Sequence, residues 1–135
     1  MDRKFIIATH GKFAEGIYNS LSIIMGEQPN FSLLCAYTND ENIEDQIENL
    51  VSSLKGNEII ILTDVFGGSV NNCFMKYIEQ ENIHLVTGVN LPLLMEIVCN
   101  KQLPVEEMIE KSIEAATNGF KYCKKLEYTN INDDF

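Results

Sequence analysis

The sequence predicts an α/β fold, a doubly wound and mainly parallel four-stranded sheet with helices on both faces. Short, continuous apolar runs rich in β-branched residues recur along the chain, as expected for strands that helices cover on both sides. Segments with apolar residues at helical spacing alternate with these runs. Because helices that join parallel strands require right-handed crossovers, this alternation favours a doubly wound sheet.

Turn and capping signals set the limits of each element. Gly26 and Gly56 follow the first two helical patterns, where glycine commonly ends a helix. Residues 38–41 have the S/T-x-x-E form of a capping box, and Pro92 lies in a first turn, where its missing N–H costs nothing. The predicted elements are strand 4–9, helix 13–24, strand 31–37, helix 43–54, strand 58–63, helix 69–80, strand 83–87, helix 91–99, helix 104–117 and a last strand 120–128.

The length of the chain predicts a single domain. A chain of 135 residues can bury a substantial core without disulfides or a structural metal. We expect this domain to span residues 1–128 and residues 129–135 to form a disordered tail.

Charge and cysteine usage exclude several classes of protein. The net charge is −10, with 20 acidic and 10 basic residues, so the chain lacks the basic face that binding to nucleic acid or to an anionic membrane requires. No signal peptide precedes the four cysteines, and none of them forms a C-x-x-C pair. We therefore expect a cytoplasmic protein with reduced thiols.

Two ionisable residues follow predicted strands. His10 lies one step past the first strand and Asp64 one step past the third, and ligands of such sheets bind beyond the carboxyl ends of the strands. At neutral pH an imidazole offers a lone pair that can attack phosphorus, and a carboxylate on the other ring N–H fixes its tautomer. Considered singly, His10 is explained as a hydrogen-bonded histidine at a strand end and Asp64 as a helix cap. Their parallel positions favour a phosphohistidine site with His10 as nucleophile and Asp64 as its partner.

A glycine-rich turn extends this site. Gly67 and Gly68 let the backbone approach an anion at a predicted helix start, and Ser69 adds a hydroxyl donor, so we assign these three residues to phosphoryl binding. The sequence has neither nucleotide-binding glycine motif, and its candidate ligands are too few for zinc or magnesium, so we expect no metal and no cofactor. The second histidine, His84, starts a strand at the opposite edge of the sheet and is read as structural.

Three segments resemble the IIA domain of the mannose-family sugar phosphotransferase system. Residues 8–11, 14–16 and 25–27 resemble the segment of the phosphorylated histidine and its helix. Residues 64–69 resemble the aspartate, aromatic and double-glycine loop, and residues 88–92 a third family signature. The resemblance covers nearly the whole chain. Val65 departs from relatives that carry a hydroxyl at that position.

The resemblance implies a function. His10 would receive a phosphoryl group from the phosphohistidine of the carrier HPr and pass it to a IIB protein, and would serve the membrane IIC and IID components indirectly. Asp64 matches the aspartate that bonds the histidine ring, and Ser69 matches a hydroxyl beside the phosphoryl group. The family also implies a homodimer in which a C-terminal antiparallel strand can be exchanged, for which residues 120–128 are the candidate.

Three other functions compete with this one. The chain could be the phosphotransfer subunit of a dihydroxyacetone kinase, whose first domain shares the architecture, although residues 67–68 and 88–92 favour the sugar-transport branch. It could be a regulatory module whose histidine senses phosphorylation without onward transfer. The chain could also be an unrelated anion-binding α/β domain, in which case the three matched segments would be coincidental.

Overall fold

A parallel sheet forms the centre of the computed structural model, which describes residues 2–126. The strands are β1 (Arg3–His10), β2 (Phe31–Ala36), β3 (Glu58–Thr63) and β4 (Ile83–Thr87). They lie in the order β2-β1-β3-β4, and each neighbouring pair is parallel. The predicted fold class is confirmed.

Helices cover both faces of this sheet. They are α1 (Phe13–Met25), α2 (Ile43–Ser53), α3 (Ser69–Phe74), α4 (Leu91–Cys99) and α5 (Val105–Thr117). Successive side chains of a strand point to opposite faces, so Phe5 and Ile7 pack with α1, α4 and α5. Ile6 and Ala8 pack on the other face with α2 and α3. The two layers explain why β1 and β3 are apolar along almost their whole length.

The register of the central strands positions the site. β1 and β3 are direct neighbours, and Ala8 pairs with Thr63, so both strands end at the same edge of the sheet. His10 is the last residue of β1, and Asp64 directly follows β3. The two side chains therefore leave adjacent strands side by side.

The second and third helices differ in detail from the prediction. The predicted capping box at residues 38–41 is wrong: Thr38 Oγ1 donates to the carbonyl of Cys35 (2.8 Å), and Asn42 caps α2 by accepting from the N–H of Asp45 (3.1 Å). The predicted helix 69–80 is split into α3 and a 3-10 helix, Met75–Tyr77. Met75 and Ile78, both in this segment, are exposed.

The C-terminal segment does not form the predicted strand within residues 120–126. It contains a 3-10 helix, Cys123–Lys125, and its backbone hydrogen bonds are local, from Lys125 N to Tyr122 O and from Leu126 N to Cys123 O. A strand needs a neighbouring strand as partner, and this segment bonds to itself instead. Residues 127 and 128, and the predicted tail 129–135, lie outside the described residues.

Within residues 2–126, no helix combines the length and apolar character needed to cross a membrane.

A matched pair of substitutions tests the core. Ile61 is fully buried in β3, whereas Ile23 of α1 is 77% exposed. We expect Ile61→Ala to lower the free energy of unfolding by about 2–5 kcal/mol, because it leaves a cavity. Ile23→Ala should change it by less than about 0.5 kcal/mol. Urea unfolding of both variants measures the difference, and equal effects would contradict the assigned core.

Candidate functional site

The carboxylate of Asp64 holds both the backbone and the ring of His10. Asp64 Oδ2 accepts from the main-chain N–H of His10 at 2.9 Å and lies 2.9 Å from His10 Nδ1. The sheet thus brings together the two residues that the sequence predicts at one crevice. This oxygen, Asp64 Oδ2, therefore anchors the end of β1 and sets the orientation of the imidazole ring.

Asp64 is ionised in this arrangement. Its side chain is only 10% exposed. Burial opposes the charge, but the hydrogen bonds from the backbone and ring of His10 outweigh it and lower the pKa of Asp64 below its ordinary value. A carboxylate can only accept, so Nδ1 of a neutral His10 carries the proton and Nε2 holds the lone pair.

The second ring nitrogen of His10 faces the open side of the site. Its imidazole is 45% exposed, and Ser69 Oγ lies 3.3 Å from Nε2. Ser69 is the first residue of α3. The nitrogen with the lone pair is therefore both reachable from solvent and next to a hydroxyl donor.

The two glycines before Ser69 make different contributions. Gly67 adopts φ +77°, which L side chains rarely adopt. A Cβ on Gly68 would lie 3.2 Å from the carbonyl oxygen of Val65 and 3.4 Å from His10 Cε1. The N–H of Gly68 donates to that same carbonyl (3.1 Å), so this amide closes the turn. Gly68 contributes space beside the ring.

Sequence reasoning missed Tyr37, which directly follows β2. Its hydroxyl lies 2.7 Å from Ser69 Oγ, and its ring centroid lies 5.7 Å from that of His10, with a tilt of 40°. The rule that singled out His10 and Asp64, that residues after parallel strands meet at one edge, applies equally to Tyr37 and could have found it.

Exposed apolar side chains follow the same two strands. Phe66 is 80% exposed, and Val65 and Phe13 are also exposed. These three residues come from the turn after β3 and from the first residue of α1. Large apolar side chains grouped in solvent commonly mark a protein contact surface.

His84 lies away from this site. It is the second residue of β4, and its Nε2 is 2.7 Å from Glu58 Oε1 at the first residue of β3. This end of the strands is opposite to the end that carries His10. Within residues 2–126, no three His, Cys, Asp or Glu side chains are grouped as a metal site requires.

Comparison with known proteins places this geometry in a family. The family described as "PTS system fructose IIA component" matches residues 4–117. A fructose-specific EIIA component of the phosphotransferase system (PTS) of Bacillus subtilis is 27% identical over 126 residues, which cover 89% of this chain and 86% of that protein. The mannose-specific EIIAB component of Escherichia coli K12 is 28% identical over 128 residues, 88% of this chain but only 39% of that longer protein.

A solved structure agrees with the sequence comparisons. The crystal structure of a putative phosphoenolpyruvate-dependent sugar PTS permease from Klebsiella pneumoniae superposes with a TM-score of 0.89 at 36% identity, and the match covers 93% of each chain. The fold is that of a phosphotransferase-system protein. The chain belongs to the EIIA family of mannose and fructose type.

The lowered pKa of Asp64 predicts how stability depends on pH. Because folding lowers the pKa of Asp64, its carboxylate contributes stability above about pH 4 that is lost as the pH falls through the folded-state pKa. Asp64→Asn removes this titration, so its free energy of unfolding should fall less than that of the wild type between about pH 5 and pH 2. Urea unfolding across this range measures both slopes.

Asp40→Asn provides the matched control for this comparison. Asp40 is an exposed aspartate in the loop after β2. Its variant should keep the slope of the wild type. Equal slopes for Asp64→Asn and the wild type would contradict the assigned role of the carboxylate.

Proposed function

We propose that this chain is a phosphoryl carrier of a sugar phosphotransferase system. His10 accepts a phosphoryl group from the phosphohistidine of HPr and passes it to a IIB protein, which serves the membrane IIC and IID components. The observation that carries the proposal is the unequal use of the two ring nitrogens: Nδ1 is held by Asp64 at 2.9 Å, while Nε2 is open beside Ser69.

The transfer needs only the imidazole and its neighbours. The lone pair of Nε2 forms the new N–P bond as the N–P bond of the donor breaks, and the electron pair of that bond stays on the donor imidazole. The positive charge that develops on the His10 ring is stabilised by the Asp64 carboxylate through Nδ1–H. In the onward step the N–P bond of His10 breaks and the same lone pair returns. We propose that no metal or cofactor takes part.

The neighbouring turn would hold the phosphoryl oxygens. The Ser69 hydroxyl lies 3.3 Å from Nε2, within reach of a group bound there. Gly68 leaves room beside His10 Cε1, and Gly67 permits the turn that presents Ser69. Hydroxyl donors orient phosphate oxygens without the strong attraction of a cation, which suits a group that must leave again.

The surroundings of His10 suit contact with another protein. Phe13, Val65 and Phe66 are exposed, and they follow the strand ends that carry His10 and Asp64. The net charge of −10 favours partners with basic surfaces. We place the carrier in the cytoplasm, with residues 1–128 as its working domain.

Phosphorylation by HPr tests the central claim, and the chain supplies its own control because it has two histidines. Incubation with phosphorylated HPr should add one phosphoryl group per chain by intact mass. His10→Ala should abolish the addition, whereas His84→Ala should retain it, since His84 pairs with Glu58 at the opposite edge. Labelling of His10→Ala, or no labelling of the wild type, would overturn the proposal.

The same assay tests Asp64. A hydrogen bond to a charged group contributes about 1.5–3 kcal/mol, so Asp64→Asn should slow phosphorylation roughly ten- to a hundredfold. The phosphorylated chain is then mixed with a purified IIB protein of the mannose family. Loss of the label to IIB supports a carrier, retention indicates a regulatory module, and transfer only to dihydroxyacetone kinase subunits indicates the kinase branch.

We also propose that the chain is a homodimer. Phe120, Tyr122 and Leu126 of the C-terminal segment are exposed, as is Ile113 on α5, and a second copy would cover them. Sedimentation equilibrium of the full chain should give twice the monomer mass of 15.3 kDa. Phe120→Asp should shift the chain toward monomer, and a monomeric wild type at micromolar concentration would contradict the dimer.

A further inference from the structure

Tyr37 has an uncommon backbone conformation at the edge of the site. It is the only non-glycine residue with positive φ (+65°) among residues 2–126. Its side chain is 57% exposed, so burial of its ring does not account for the conformation. Strained backbone of this kind clusters at functional sites, where surrounding contacts hold it in place.

The hydroxyl of Tyr37 is the outer end of a chain of polar groups. It lies 2.7 Å from Ser69 Oγ, which lies 3.3 Å from His10 Nε2. These three residues come from three elements: the loop after β2, the start of α3 and the end of β1. Their contact depends on the tertiary fold.

The donor of each hydrogen bond in this series of polar groups follows from the ionised state of Asp64. Its carboxylate accepts a hydrogen bond from the N–H at Nδ1 of His10, so Nε2 of the neutral ring can only accept. Ser69 has one hydroxyl proton and must direct it to Nε2. The lone pair of Ser69 Oγ then accepts from the hydroxyl of Tyr37. The hydrogen bonds run in one direction, from Tyr37 through Ser69 to the reactive nitrogen.

We propose that Tyr37 is a positioning residue for phosphoryl transfer: its hydroxyl orients the Ser69 hydroxyl toward Nε2 of His10 and toward the phosphoryl group bound there. This inference rests on the proposed function. Without the tyrosine hydroxyl, the hydroxyl group of Ser69 is free to rotate, and its proton is no longer directed toward the His10 ring. The ring of Tyr37 can stay in place, so Tyr37→Phe removes the hydrogen bond alone.

Imidazole nitrogen shifts test the positioning without any phosphoryl transfer. The full, unphosphorylated chain with ¹⁵N-histidine is compared as wild type, Tyr37→Phe, Ser69→Ala and the double variant. Tyr37→Phe should move the Nε2 signal of His10 when Ser69 is present and leave it unmoved in the Ser69→Ala background. An equal shift in both backgrounds would show that the tyrosine hydroxyl affects His10 without Ser69 and would overturn the proposal, as would no shift in either background.

Tyr77→Phe is the matched control. Tyr77 lines a cavity with Ile59 and Ile83 at the amino ends of β3 and β4, opposite to His10. The same loss of a hydroxyl there should leave the nitrogen signals of His10 unchanged. A shift as large as that of Tyr37→Phe would overturn the positioning role.

Transfer rates from phosphorylated HPr test the consequence. Loss of one neutral hydrogen bond should slow Tyr37→Phe about three- to tenfold, and less than about twofold when Ser69 is already alanine. A wild type that takes no label overturns the proposed function itself. A labelled wild type with Tyr37→Phe at the same rate overturns only the role of Tyr37.

Discussion

A single carboxylate oxygen joins the fold to the chemistry of this protein. Asp64 Oδ2 accepts from the backbone N–H of His10, which belongs to the strand, and contacts Nδ1, which belongs to the reactive ring. The first contact ties the end of β1 to the residue after β3. The second sets the tautomer of the ring. Because both contacts use one atom, the position of this oxygen sets the end of the strand and the orientation of the ring together.

The residues around His10 and Asp64 contribute in two ways: some leave space beside the His10 ring, and others orient hydrogen bonds toward it. Gly68 leaves space beside His10 Cε1, since any side chain there would meet the ring at 3.4 Å. Ser69 gives direction through one hydroxyl, and Tyr37 determines where that hydroxyl points. None of these groups carries a full positive charge. Such a site can hold a phosphoryl group by orientation and still release it to a partner.

Much of the fold and the central pair could be predicted from the sequence because their signals are local. A buried parallel strand is a short apolar run, and the residue after it lies at the ligand-binding edge, which identified His10 and Asp64. The capping box at residues 38–41 failed because Asn42 competes for the same role and lies closer to the helix. The strand at residues 120–128 failed within the described part because pairing depends on a partner strand.

The place of Tyr37 after β2 was within reach of sequence reasoning, but its contact with Ser69 was not. Its contact with Ser69 requires a left-handed backbone at a residue that seldom adopts one, and it requires β2 to lie beside β1. Neither condition leaves a mark in the order of residues. Gly68 is a further case: the sequence predicted that its backbone approaches an anion, whereas its N–H donates to Val65 O and closes the turn, so its missing side chain is what leaves room at the site.

The strand order has a consequence for motion. His10 and Asp64 project from β1 and β3, the two interior strands, each of which has a strand on both sides. Opening events in folded proteins release peripheral elements first and interior strands last, so the pair stays assembled through most of them. Tyr37 and Ser69 sit on a loop and on a six-residue helix. The ring of His10 is thus held by strands of the kind that open last, while the groups around it lie on peripheral elements that open more readily.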